Sequence, residues 1–200
     1  MERIQFNFDL QKATQALNWL AIKSGGRISK LKALKLLYLA DRYHLRKYGR
    51  LITNDIYFAM DYGPVPSGSK DLAEASDFLG DDEQEYSSKY IKPINQYTFE
   101  SLADPDPSVF SDSDIESLAF AWDTFGHLAR FDLANITHEY PEWKKHKQAL
   151  KLDSRIQMNL MDFFDDPRDD IEKCHALDSE EKNIRREQLA EIAHIESLWS

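Results

Sequence analysis

Apolar positions between Leu31 and Tyr48 recur at steps of three, four and seven: Leu31, Leu34, Leu37, Tyr38, Leu45 and Tyr48. That spacing puts them on one face of a helix. Ser29 is placed to cap its start, and Gly49 stands where a left-handed residue ends a helix. Further on, Ile56, Phe58 and Met60 alternate with Tyr57, Ala59 and Asp61, the period of a short strand. Tyr62-Gly63-Pro64-Val65-Pro66-Ser67 then predicts a rigid corner, because Gly63 accepts positive φ and two prolines fix φ and remove donors.

The flanking segments read mostly as helices. Residues 9–23 carry Leu10, Ala13, Leu17, Leu20 and Ala21 on one face behind an Asp9 cap, and Ser24-Gly25-Gly26 ends them. A third helix starts at Pro66 or Ser67 and runs to about Leu79, with Leu72, Ala75 and Phe78 inward, until Gly80-Asp81-Asp82 breaks it. Residues 86–91 and 95–99 predict a small irregular hairpin. Ser113 with Glu116 reads as a capping box for a helix burying Ile115, Leu118, Ala119, Trp122 and Phe125. A short helix over 129–138 puts Phe131 (or Leu128), Ala134, Thr137 and His138 inside, and Trp143 opens another turn through Leu150. Residues 156–164 are apolar on one side, 165–170 form an exposed loop, and a last helix over 179–199 turns Leu189, Ile192 and Ile195 or Leu198-Trp199 inward. The expected fold is mainly α, a compact multi-helix single domain with a small β element at about residues 52–60 and 86–99. Residues 1–150 form a helical domain, and 151–200 a helical extension packed on it or on a partner.

Composition narrows the function. The 200 residues suffice for a sizeable core, and 42% hydrophobic and 12% aromatic content argues against disorder. A net charge of −10 speaks against general nucleic-acid binding. The lone Cys174 cannot form an internal disulfide, the first residues hold no secretory apolar run, and no stretch reaches the roughly 18 apolar residues of a membrane span, so a cytoplasmic protein is expected. Charge is uneven: seven cations and one acid occupy residues 30–50, whereas acids gather at 71–85, 104–116 and 162–172. Either these are solvated faces or they form a bipolar surface that steers a charged protein partner.

No catalytic, cofactor or metal set emerges. Cys174 and His175 are sequence neighbours, whereas catalytic Cys–His pairs are assembled across a fold. His138-Glu139 lacks the second histidine four residues on that a zinc-protease helix requires, and His127, His138 and His146 converge only if two turns cooperate. Gly25-Gly26 lacks the rest of a phosphate loop. Asp41 and Arg42 stand out beside the helix stripe. Asp41 either bonds the Tyr62-Gly63 corner or, with Tyr38 and Tyr62, forms a polar hot spot in a recognition groove.

Lys-Leu-Leu-Tyr-Leu-Ala-Asp-Arg at 35–42, Tyr-Gly-Arg at 48–50 and Tyr-Gly-Pro-Val-Pro-Ser at 62–67, followed by Ser-Asp-Ser-Asp at 111–114, Leu133, Thr137-His138 and Trp143, resemble the Panacea domain of SocA-like antitoxins over about residues 10–150. The resemblance implies a type II antitoxin that neutralises a toxin encoded nearby by direct binding, without a cofactor and without being an enzyme. Toxins paired with such domains include ones that modify tRNA or synthesise nucleotides. The candidate contacts are Lys35, Tyr38, Asp41, Arg42, Tyr62, Gly63, Pro64 and Val65. A homodimer, a proteolytic adaptor that delivers the toxin to a protease, and a phage- or defence-associated hydrolase with a His138/Glu139 site are the alternatives. The acidic clusters suggest mimicry of phosphate towards a basic, RNA-facing toxin surface.

Overall fold

The computed structural model describes residue 4 and residues 6–167 and 175–198, without the side chain of residue 197. Cys174, Trp199 and the acids at 169, 170 and 172 lie outside the described residues. Among the described ones the chain is mainly α around one continuous hydrophobic core, with two three-stranded sheets. Helices α1 (Leu10–Lys23) and α2 (Lys30–Tyr48) begin and end as their caps dictate. The Asp9 carboxylate accepts from Lys12 N, the Ser29 hydroxyl from Lys32 N, and Gly49 closes α2 at φ +76.

The α2 helix differs from the one-sided helix its apolar spacing predicts. From Ala33 to Arg46 every position except Tyr43 is buried. It is the axis of the molecule, packed against α1, α3 (Ser67–Glu74), α5 (Asp112–Phe125), α6 (Arg130–Thr137) and strand β3 (Gly63–Pro66). Its polar residues therefore have to be matched inside the protein.

The rigid corner at 62–67 is half of a hairpin. β2 (Tyr57–Met60) pairs antiparallel with β3, Met60 opposite Gly63 and Tyr57 opposite Pro66, and β6 (Ile156–Gln157) adds on the other side of β2. The prolines sit on the edge strand, where a missing donor breaks no ladder. The second sheet places β5 (Thr98–Ser101) between β1 (Arg27–Ser29) and β4 (Ile91–Asn95). Residues 81–88, expected partly as strand, form helix α4 (Asp81–Ser88), and Gly80 caps it rather than breaking a longer one.

Other boundaries shift for local reasons. α3 stops at Ala75, which takes φ +48, so Phe78 leaves the helix and is 91% exposed instead of buried. α5 is capped by Ser111 with Asp114, one pair earlier than Ser113 with Glu116, which turns Asp114, Ser117, Leu118, Ala121 and Phe125 inward and leaves Ile115 at the surface. In α6 Ala134 and Thr137 turn inward as expected, joined by Leu133, while Phe131 is 52% exposed. Helix α7 (Pro141–Lys144) follows, then a 3₁₀ turn over Leu160–Phe164 that buries Phe163 and Phe164. The last helix, α8 (Ser179–Ser197), buries Leu189 and leaves Ile192 and Ile195 largely outside.

Candidate partner-binding site

Three cross-links from α2 and α7 fix the β2–β3 hairpin. The Lys35 Nζ, with no exposure, donates to Pro64 O at 2.5 Å. Burial lowers its pKa from 10.5 to about 7. Nearly two turns later Asp41, equally buried, accepts from Ile52 N at 2.5 Å, Thr53 Oγ1 at 2.6 Å and Tyr57 Oη at 2.5 Å. Its partner is thus the entry to β2, and the Tyr62-Gly63 corner plays no part. From the far side Trp143 Nε1 donates to Met60 O at 2.9 Å.

A buried charge pair stands behind this frame. Glu142 accepts from Arg42 Nε and from Tyr38 Oη, both at 2.6 Å, with all three side chains closed to water. Burial pushes the Glu142 carboxyl up, against the pull of the guanidinium. Tyr38 packs edge-on against Tyr57, Tyr140 and Phe163, with centroids 5.8 Å apart in each case. Gly63, at φ +96, admits the crossing of these elements: a Cβ there would lie 2.5 Å from Thr137 Oγ1.

The hairpin carries its tip into solvent. Tyr62 is 62% exposed, and its ring stands 6.3 Å from Phe131 on α6. Together with Tyr97, at the β4–β5 turn, they border a groove of about 620 Å³ whose floor includes Leu31, Leu34 and Val65. The Lys30 N–H donates to Tyr97 O at 2.8 Å, so the turn is fastened to the start of α2. Arg130 lies over the rings of Tyr97 and Phe131, at 5.9 and 4.8 Å.

The eight expected contacts divide sharply. Lys35, Tyr38, Asp41 and Arg42 are wholly buried, Gly63 and Pro64 are buried, Val65 reaches the groove floor, and Tyr62 alone is widely exposed. The exposed aromatics at the groove that sequence reasoning missed as surface residues are Phe131 and Tyr97. A signal existed: α6 carries more apolar positions than one face of eight residues can bury, and Tyr97 follows Asn95 in a turn.

Most cations of residues 30–50 are tied to partners within the protein. Arg46 is 1% exposed and bonds Phe163 O, His175 O and Asp166, Lys32 donates to Gly126 O, and Arg50 reaches Asp114 and Ser113. His138 stacks on Trp143 at 3.9 Å, and Glu139 pairs with Lys144 at 2.6 Å. No three His, Cys, Asp or Glu side chains among the described residues are arranged to hold a metal ion, and no described helix is long and apolar enough to cross a membrane.

Comparison with known families agrees with the placement of these motifs. No curated protein and no solved structure matches the chain. The family model described as antitoxin SocA-like, Panacea domain matches residues 34–144, more than half of the chain and the region that holds most of α2, the hairpin and α7. The chain belongs to the SocA-like Panacea-domain family.

Proposed function

We propose that this protein is the antitoxin of a type II pair and neutralises a toxin encoded beside it by direct protein–protein binding. The observation that carries this reading is the division of labour in the family region. Lys35, Asp41 and Trp143 of the motifs are spent on holding one hairpin, and that hairpin raises Tyr62 beside Phe131 and Arg130 at an open groove. Exposed Tyr, Phe and Arg around a preformed depression are the composition of a binding hot spot. A rigid frame lowers the ordering cost of association. The buried motif residues thus support the contact face from behind, and Tyr62 and Val65 belong to it directly.

A hydrolase centred on His138 and Glu139 is less well supported, since one ring is stacked on Trp143 and the carboxylate is already paired with Lys144. Delivery to a protease is compatible with the same groove and differs only in the fate of the toxin. Exposed acids on α4 and around residues 104–112 supply the candidate phosphate mimicry.

Co-expression with the product of the neighbouring reading frame tests the reading. Neutralisation accompanied by a co-purifying complex is expected, and replacing both His138 and Glu139 with Ala should leave it intact. Rescue of growth without any complex would contradict it, and rescue with toxin that disappears unless a protease is removed would establish delivery instead.

A further inference from the structure

The groove is unusual in its charges. Three cations, Lys30, Lys70 and Arg130, line it against two carboxylates, Asp61 and Glu74, in a chain of net charge −10. Lys70 and Glu74 satisfy each other at 2.6 Å. Lys30 is only 8% exposed, yet its ammonium makes no hydrogen bond or ion pair among the described residues. Glu74 attracts it only at longer range. Its stem is buried while the ammonium keeps access to solvent, so the charge stands ready at the groove. Arg130 is held between two rings and likewise makes no ion pair among the described residues. Beneath them, the first turn of α2 contains no acid to answer its positive end.

We infer that this groove receives, from the bound protein partner, a large apolar side chain standing next to a carboxylate. The inference rests on the reading of the chain as a protein binder and specifies what that binder recognises. The apolar group lies against Leu34, Val65 and the rings of Tyr62 and Phe131, and the carboxylate answers Lys30 and Arg130. Arg130 is suited to this, because a guanidinium flat on aromatic rings still presents its edge N–H groups to an acid. A phosphate-bearing ligand is the poorer match, since Asp61 and Glu74 on the same walls would repel its second charge.

A fragment titration of the full chain, followed by the ring resonances of its aromatic residues, tests this without a known partner. The probes are N-acetylphenylalanine, which has the ring and the carboxylate, N-acetylphenylalanine amide, which lacks the charge, and adenosine monophosphate. The free acid should shift the signals of Tyr62, Tyr97 and Phe131 and bind about five-fold or more tighter than the amide, as a charge-assisted contact requires. Arg130→Gln and Lys30→Met, each confirmed folded by an unchanged far-ultraviolet spectrum, should each abolish that preference. Equal binding of acid and amide, binding of neither, or tighter binding of adenosine monophosphate would overturn the inference. A chain that co-purifies with its toxin yet fails this titration refutes the groove chemistry alone. One that passes it yet neutralises nothing refutes the reading as an antitoxin.

Discussion

Arg42 and Glu142 are bonded to each other at 2.6 Å with both side chains fully buried, and that arrangement has opposite consequences for single and double substitution. Arg42→Leu leaves the Glu142 carboxylate stranded and should cost about 3–5 kcal/mol in urea unfolding. Arg42→Leu combined with Glu142→Leu should cost less than that single change, because no buried charge is left alone. Gly63→Ala should also destabilise, by about 1–3 kcal/mol, since it forces a Cβ into Thr137 at a left-handed φ.

Two buried groups write a pH signature. The Asp55 carboxylate caps the start of α3 through Gly68 N and Ser69 N, and burial raises its pKa from 3.8 to about 6. The folded state therefore holds its proton more tightly, and the stability this contributes is full below about pH 4 and lost as pH rises through about 6. Lys35 is the reverse case. With its pKa lowered from 10.5 to about 7, its contribution is present above about pH 10.5 and lost as pH falls through about 7. Unfolding free energies measured from pH 4 to 10 should show Asp55→Asn flattening the first slope relative to the parent, and Lys35→Met the second.

At the scale of elements, the C-terminal segment is bolted to the family region. Arg42 Nη2 donates to Asp165 O at 2.8 Å, Arg46 holds Phe163 O and Asp166, and Phe163 packs on Tyr38 and Tyr57. A chain cut after residue 150 leaves these groups facing water and should fail to fold. A chain cut after residue 178 loses α8, whose hold is the buried Leu189, the Arg185 bond to Lys47 O and the Arg186 bond to Asp165. It should remain folded and lose about 2–5 kcal/mol, the range for emptying one leucine site. Circular dichroism and thermal unfolding of the two truncations separate these outcomes.

The same scale shows what the sequence makes legible. Caps are local, so Asp9, Ser29 and Gly49 announce α1 and α2 with their ends in place. Periodicity on α2 is misleading because the helix is surrounded. Lys35, Tyr38, Arg42 and Arg46 fall on one stripe at steps of three and four, and it is the companions Glu142 and Pro64 O, far along the chain, that make that stripe inward. Asp41 draws notice in the sequence as a polar residue in need of a match, yet nothing local says that the match is Thr53 and Tyr57. Tyr62 is readable as a contact residue, whereas its neighbour Phe131 is placed only by the packing of α6 on α2.

Over the whole molecule, charge is segregated by depth. The cations of α2 are mostly consumed inside, while the acids of α4 and of residues 104–112 stay at the surface. A toxin complex that uses them should associate more slowly and bind more weakly as salt is raised from about 0.05 to 0.5 M, because the Debye length shrinks from above 10 Å to about 4 Å. An association rate indifferent to salt would remove charge mimicry from the account and leave the groove untouched.

The groove itself is tested most directly by calorimetry on the complex between this chain and the toxin of the neighbouring frame, comparing the parent with the double substitution Tyr62→Ser, Phe131→Ser. Both side chains are exposed, so the fold should keep its thermal midpoint within a few degrees. Loss of the two aromatic anchors should weaken binding by about 100-fold or more, as expected for paired hot-spot residues. An affinity unchanged by the double substitution, in a folded chain, would place the contact elsewhere and contradict the account.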